Sequence, residues 1–214
     1  MENRALKIYA PMNNKIALKI IQGHFATSNS HINLYIDLTS MKTRQNEAAE
    51  AAKSLLPESS SEMVVDTIIC MDGCEVIGGF LAQELSNAGI LSKNLHKTIY
   101  IISPESNTNS QLIIRDNNLS AVSDKHILLL VASVTTGNTV RKSLECIQYY
   151  GGIVEGIDAI FSAVDEIDGV VVNSIFKSKD LPEYKNYNIA DCPFCKSKQK
   201  LEAIVNGSGY TKLY

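Results

Sequence analysis

The sequence has no block of Lys and Arg, no apolar run long enough for a bilayer, no even set of cysteines and no phosphate-binding lysine motif. Each absence removes a class of function. The formal charge is -3, and a phosphate backbone is bound by a basic face, so nucleic acid is not an expected partner. The longest apolar run is Ile127-Leu128-Leu129-Leu130-Val131-Ala132, whereas a bilayer-spanning helix needs roughly 20 such residues; the run is expected to be a buried strand, with no membrane partner. Glu2, Asn3 and Arg4 precede a short apolar alternation and lack the apolar block of a secretory signal. The five cysteines are odd in number and irregularly spaced, unlike a disulfide framework. A reducing, cytoplasmic location is expected. No internal repeat or low-complexity tract is visible.

What remains is ordinary globular composition, 45% hydrophobic and 20% charged in 214 residues. That suits one α/β domain able to form a core without metal or disulfide support. Residues 5–9 and 16–20 alternate around Pro11-Met12-Asn13-Asn14 and predict a hairpin. Residues 34–37 predict a short strand. Residues 41–56, rich in Ala, Glu, Lys and Gln, predict a helix capped by Ser40 and ended by Pro57 and the serines at 59–61. Residues 63–70 predict a buried strand entering the loop Met71-Asp72-Gly73-Cys74-Glu75. A helix follows to about Ala88, with Gly89 as its cap. A strand at 98–102 leads into the polar segment 103–110, a mobile loop by composition, and 111–115 predict a returning strand. The apolar strand 126–131 should be central. A polar turn at 133–139, a helix through Tyr150, Gly151-Gly152 and strands at 153–163 and 170–176 follow. Strands alternating with helices predict a doubly wound, mostly parallel sheet with ligands at the strands' C-terminal ends. One domain is expected over 1–214: a hood to about residue 34, an α/β core over about 35–176 and an irregular tail over about 177–214.

The turn Thr135-Thr136-Gly137-Asn138-Thr139 joins the apolar strand to a helix through small hydroxyl residues. Backbone N–H groups at a helix start, assisted by threonine hydroxyls, make an anion site, and Gly137 allows close approach of a phosphate. A capped turn without ligand is the plainer alternative. The segment is not a Walker loop, because no GxxxxGK[ST] is present.

An apolar strand, then Thr-Thr-Gly-x-Thr, a helix and Gly-Gly resembles the phosphoribosyl diphosphate (PRPP) motif of type I phosphoribosyltransferases, most of all the orotate-specific members. Other stretches resemble that family in the same order. Ser28-Asn29-Ser30-His31-Ile32-Asn33-Leu34-Tyr35-Ile36-Asp37 is similar to its N-terminal segment, Asp72-Gly73-Cys74-Glu75-Val76-Ile77-Gly78-Gly79 to its pyrophosphate loop, and Gly151-Gly152-Ile153-Val154 to its post-motif turn. The resemblance implies that 135–139 hold a 5′-phosphate, that Asp72, Gly73, Cys74 and Glu75 form the pyrophosphate loop, and that the N-terminal and 103–111 segments cover a base. It implies a PRPP or nucleoside monophosphate ligand, pyrimidine metabolism and a homodimer.

The family's two adjacent acids before the phosphate loop are replaced by Val131-Ala132 or Ala132-Ser133, depending on register. Its mobile-loop Lys has no counterpart, since 103–110 contain no Lys or Arg. These losses weaken ribose and diphosphate binding and transition-state stabilisation. The case for Mg²⁺ is correspondingly weak, although Asp72 and Glu75 can hold a metal or ribose hydroxyls if they are not simply solvated. Arg115 and Lys97 flank the mobile loop, and a dimer can lend basic residues across subunits. No catalytic residue is assigned.

Cys192-Pro193-Phe194-Cys195 is half of a zinc site by spacing, but no second such knuckle exists. The expectation is an unmetallated structural turn, with zinc and redox chemistry as alternatives and folding independent of metal. Cys74 is read as a small buried thiol rather than a nucleophile. His24 and His31 flank the segment of base recognition and are expected to be exposed loop residues. Tyr149-Tyr150 are read as packing or dimer contacts. The resulting expectation is an enzyme transferring ribose 5-phosphate from PRPP to a nucleobase. The alternatives are a catalytically degenerate nucleotide-binding sensor and, behind both, a structural protein retaining only the fold.

Overall fold

Two sheets share a helical layer between them in the computed structural model, which describes residues 2–56, 63–87, 98–107 and 111–214. The N-terminal alternation forms β1 (Leu6–Ala10) against β2 (Asn13–Ala26), which turns back into β3 (His31–Asp37), all antiparallel. The helix predicted over 41–56 is two helices, α1 (Thr39–Thr43) and α2 (Gln45–Leu55). Arg44 separates them because its backbone is extended, at φ −97° and ψ 120°, and it ends one helix while starting the next. Ser40 lies inside α1; the cap position is Leu38, with no side-chain cap bond. Pro57, the serines at 59–61, Gly89, His96 and Lys97 lie outside the described residues, as do residues 108–110 of the predicted mobile loop.

The second sheet begins with β4 (Thr67–Cys70), shorter than the predicted 63–70, and α3 (Glu75–Asn87) follows. Next come β5 (Tyr100–Ile102) and a separate two-stranded arm, β6 (Glu105–Ser106) with β7 (Leu112–Ile113). Then β8 (His126–Val134), α4 (Asn138–Tyr149), β9 (Ile153–Ser162), β10 (Glu166–Ile167) and β11 (Val170–Lys177) complete it. The order is β10-β11-β9-β8-β4-β5, parallel except for β10. The apolar run at 127–132 is explained by position. Leu128, Leu130 and Ala132 pack with α1, α2 and α3, while Ile127, Leu129 and Val131 pack with α4 on the other face. Helices on both faces cover a strand that alternation could not have hidden. Strand order reverses between β4 and β8, so a crevice opens at their C-terminal ends.

Hood and core are continuous, because Ile16, Leu18 and Ile20 of β2 join the cluster formed by α1, α2 and α3. Contrary to the expected irregular tail, the C-terminal residues complete the hood sheet. They form β12 (Asn186–Tyr187) on β3, a short helix α5 (Pro193–Lys196), and a hairpin of β13 (Ala203–Asn206) and β14 (Gly209–Lys212). The hood order is β12-β3-β2-β13-β14, with β1 also on β2, and β13 runs parallel to the end of β2. Short strands separated by polar residues carry too little periodicity to be seen in sequence.

Candidate functional site

A cavity of about 510 Å³ lies between the hood and the crevice of the parallel sheet. Its floor is the segment 133–140, and Asp72, Ser106, Thr27, Ser28, Asn29 and Tyr184 are among its walls. The strand continues to Val134, further than the predicted turn at 133–139 allows, so the loop proper is Thr135, Thr136 and Gly137. Gly137 has φ +79° and caps α4 without any side-chain bond. The first helical bond runs from Arg141 N–H to Gly137 O at 2.9 Å. The N–H groups of Asn138, Thr139 and Val140 therefore have no intrahelical acceptor, and the positive end of a twelve-residue helix faces the cavity.

Gly137 is required for its own backbone and also by packing. A Cβ there would lie 3.0 Å from Ile167 Cδ1, in a left-handed conformation that strains any other residue. Arg141, which sequence reasoning overlooked, pins the loop from beneath: its Nη1 donates to Thr136 O at 3.2 Å and its Nε to Asp168 at 3.2 Å. Its place one turn into α4, four residues after the capping glycine, was the available signal.

The predicted pyrophosphate loop divides. Asp72 (φ 56°) and Gly73 (φ 79°) turn the chain sharply between β4 and α3, and of the four residues only Asp72 lines the cavity. Cys74 is fully buried in the core, where burial pushes its thiol up to about 12, so it is no nucleophile. Glu75 is exposed and accepts a hydrogen bond from Ser103 Oγ at 2.6 Å. Lys42, also unforeseen, is buried to 6% exposure; its Nζ donates to Asp72 O at 2.7 Å and to Gly207 O. Burial holds the Asp72 carboxyl above its usual range, opposed by Lys42 and by a bond from the Ala132 backbone. Gly207, at the tip of the C-terminal hairpin, packs directly on this carboxylate: a Cβ there would be 2.6 Å from Asp72 Cγ.

The remaining walls are neutral. Thr27 Oγ1 accepts from Ser30 N–H at 2.9 Å and so fixes the 27–30 turn. Tyr184 packs its ring on Phe161 at 5.2 Å, and its hydroxyl is buried with no protein partner, an orphan donor in the cavity wall. Among the described lining residues there is no Lys or Arg. Arg115 is paired with Glu105 at the base of the β6–β7 arm, and Val131 and Ala132 are buried in the sheet while Ser133 lines the cavity. For a hard divalent cation the lining supplies one carboxylate, Asp72, already engaged by Gly207 and Ala132. These residues do not form a protein-held Mg²⁺ site, which would take its other oxygens from elsewhere. His24 and His31, expected to be exposed, are buried at 0% and 6%, and lie with Cys192 and Cys195 in a separate cluster. Tyr149 is exposed and meets Tyr150 edge-on, while Tyr150 packs against the cluster shared by α4 and the sheet.

A doubly wound sheet with a strand–Thr-Thr-Gly–helix floor at its switch point is the fold of the type I phosphoribosyltransferases, and the comparisons agree. The chain is 24% identical over 187 residues to the orotate phosphoribosyltransferase of Chlorobium phaeobacteroides (strain BS1), covering 86% of this chain and 88% of that one. It is 24% identical over 191 residues to the orotate phosphoribosyltransferase of Pelotomaculum thermopropionicum, covering 88% and 90%. The crystal structure of orotate phosphoribosyltransferase from Aeropyrum pernix superposes with a TM-score of 0.52 at 18% identity, over 75% of this chain and 88% of that chain. No family model matches the sequence. The chain has the fold of the type I phosphoribosyltransferases. In sequence it is similar to orotate phosphoribosyltransferases over most of its length.

Proposed function

We propose that the protein binds PRPP in the hood cavity and transfers its ribose 5-phosphate to a nucleobase. The observation that carries this is the floor of the cavity. The uncapped N–H groups of α4 and the threonines of 135–139 face a space of about 510 Å³ at the switch point of the sheet. In this reading the 5′-phosphate sits on that floor, the ribose lies near Ser133 and Asp72, and the base is covered by the 27–29 turn. Mg²⁺, if used, arrives with the diphosphate, and a homodimer lends the cation that the lining lacks. The likeness to orotate phosphoribosyltransferases along nearly all of the chain supports transfer chemistry.

A second reading, a nucleotide- or PRPP-binding sensor, is favoured by one specific observation. In either register, Val131-Ala132 or Ala132-Ser133, the acids that the resemblance expects are missing, and no cation lines the described cavity. Departure of a diphosphate then goes without the charge stabilisation that dominates such reactions. Orotate consumption at saturating PRPP and Mg²⁺, run beside a panel of other bases, separates the two. Transfer is expected at a rate far below the enzyme median of about 10 s⁻¹. Absence of transfer to every base, with binding retained, selects the sensor, and a rate near the median requires charges supplied from another subunit.

A further inference from the structure

From the convergence of His24, His31, Cys192 and Cys195, we propose that the protein binds one zinc ion in a closed Cys₂His₂ site that fastens its C-terminal segment to the hood. Zinc takes four nitrogen and sulfur ligands tetrahedrally; bonds of about 2.0 Å to nitrogen and 2.3 Å to sulfur set the ligand atoms roughly 3.3–3.8 Å apart. Here the ligand atoms all lie within 4.8 Å of one another. His24 Nε2 is 3.1 Å from His31 Nδ1 and 3.4 Å from Cys192 Sγ. Cys195 Sγ is 3.7 Å from His24 Nε2 and 3.3 Å from His31 Nδ1. These are four of the six edges of a tetrahedron of zinc size, and the remaining two are within 4.8 Å.

The surroundings are those of a built site. His24 Nδ1 lies 2.9 Å from Gln199 O, so the proton assigned to Nδ1 is donated to that carbonyl and the Nε2 lone pair is directed at the thiols. His24 sits where the β2–β3 register shifts between Gln22 and Phe25, and such an irregularity re-aims a side chain. Cys192 precedes α5 and Cys195 lies on it; Lys196 N–H donates to Cys192 O at 3.1 Å and Lys198 N–H to Cys195 O at 2.9 Å, curling the C-x-x-C around one point. Cys192 and both histidines are buried, while Cys195 is exposed and leaves a path for the metal. Four protein ligands leave no open coordination position, so the role is structural.

The ligands also say what the ion holds. His24 and His31 bracket the 27–30 turn that lines the cavity, and the thiols lie between β12 and the hairpin whose tip rests on Asp72. None of the four belongs to the two large core clusters of the α/β unit. The core is therefore expected to fold without metal, as the composition implied, whereas the C-terminal segment and the turn depend on it.

The test is metal analysis of the full chain, purified under reducing conditions without a metal-affinity step. We expect about one zinc per chain. After replacement by Co²⁺ we expect the intense visible bands of tetrahedral S₂N₂ coordination, lost in Cys195→Ala and kept in Cys146→Ala. Hydrogen exchange after chelation should rise in 24–31 and 186–214 and stay unchanged in β8. If Cys195→Ala does not fold, the cobalt spectrum of the unaltered chain still decides. No bound metal in the presence of excess zinc, octahedral cobalt bands, or oxidation of Cys192 and Cys195 to a disulfide without metal would overturn the proposal.

Discussion

A carboxylic acid in the middle of the parallel sheet is the most exacting residue of this molecule. Asp158 on β9 is 3% exposed and sits beside Asn173 of β11, whose Nδ2 donates to Asp158 Oδ1 at 2.8 Å and to Leu55 O at 2.8 Å. Its second oxygen has no partner. Burial, only partly offset by Asn173, raises its pKa from 3.8 to about 7. The native state thus holds a proton that the unfolded chain gives up. The contribution of this carboxyl to stability is full below about pH 4, is lost as pH rises from about 4 to 7 and is level above that, a loss on the order of 4 kcal/mol. Asp158→Asn keeps the acceptor for Asn173 and removes the charge. Urea unfolding should show the variant more stable than the wild type by a few kcal/mol at pH 8, with the gap closing toward pH 4. A gap that does not change with pH would mean that the carboxyl titrates normally.

At the scale of elements, the C-terminal hairpin is the part that connects the hood to the site. Gly207 packs on Asp72 and its carbonyl takes one of the bonds of buried Lys42. Gly207→Ala places a methyl group 2.6 Å from Asp72 Cγ, and overpacking of this kind costs about 1–3 kcal/mol. Gly79→Ala in α3, where a Cβ meets nothing within 4 Å, should instead be neutral or stabilise by up to about 1 kcal/mol. Denaturation midpoints of the two variants check both signs, and equal effects would remove the hairpin contact from the account. This element was not legible in the sequence. The run at 127–132, the loop at 135–137 and α4 were legible because strong burial, small hydroxyls and a capping glycine occur together in order. The strands at 186–187, 203–206 and 209–212 were not, because strands of two to four residues gain their stability from partners distant in sequence. The break at Arg44 was hidden by a composition that favours helix on both sides.

At the scale of the whole molecule, sequence spacing picked out Thr135 to Thr139 on the cavity floor and Ser28, Asn29, Asp72 and Ser106 in its walls, and missed the residues that brace them. Thr135 to Thr139 lie where the doubly wound order requires. Lys42, Arg141, Tyr184 and Gly207 come from four separate stretches that only the fold assembles. The same limit applies to the cluster at His24: a half-site at Cys192 and Cys195 was visible, but the histidines they meet lie 164 to 171 residues away in the sequence. The left-handed backbone and Ile167 also change how the floor should be probed, since Gly137→Val would strain the loop itself. Thr135→Ala and Thr139→Ala are cleaner, because neither residue is buried. The most direct measurement is titration calorimetry of PRPP against the wild type and these two variants. The account predicts binding by the wild type and a loss of about 1.5–3 kcal/mol, roughly ten- to a hundred-fold, for each hydroxyl that holds phosphate, with melting temperatures unchanged. PRPP binding that is indifferent to both substitutions would contradict it and move the phosphate off α4.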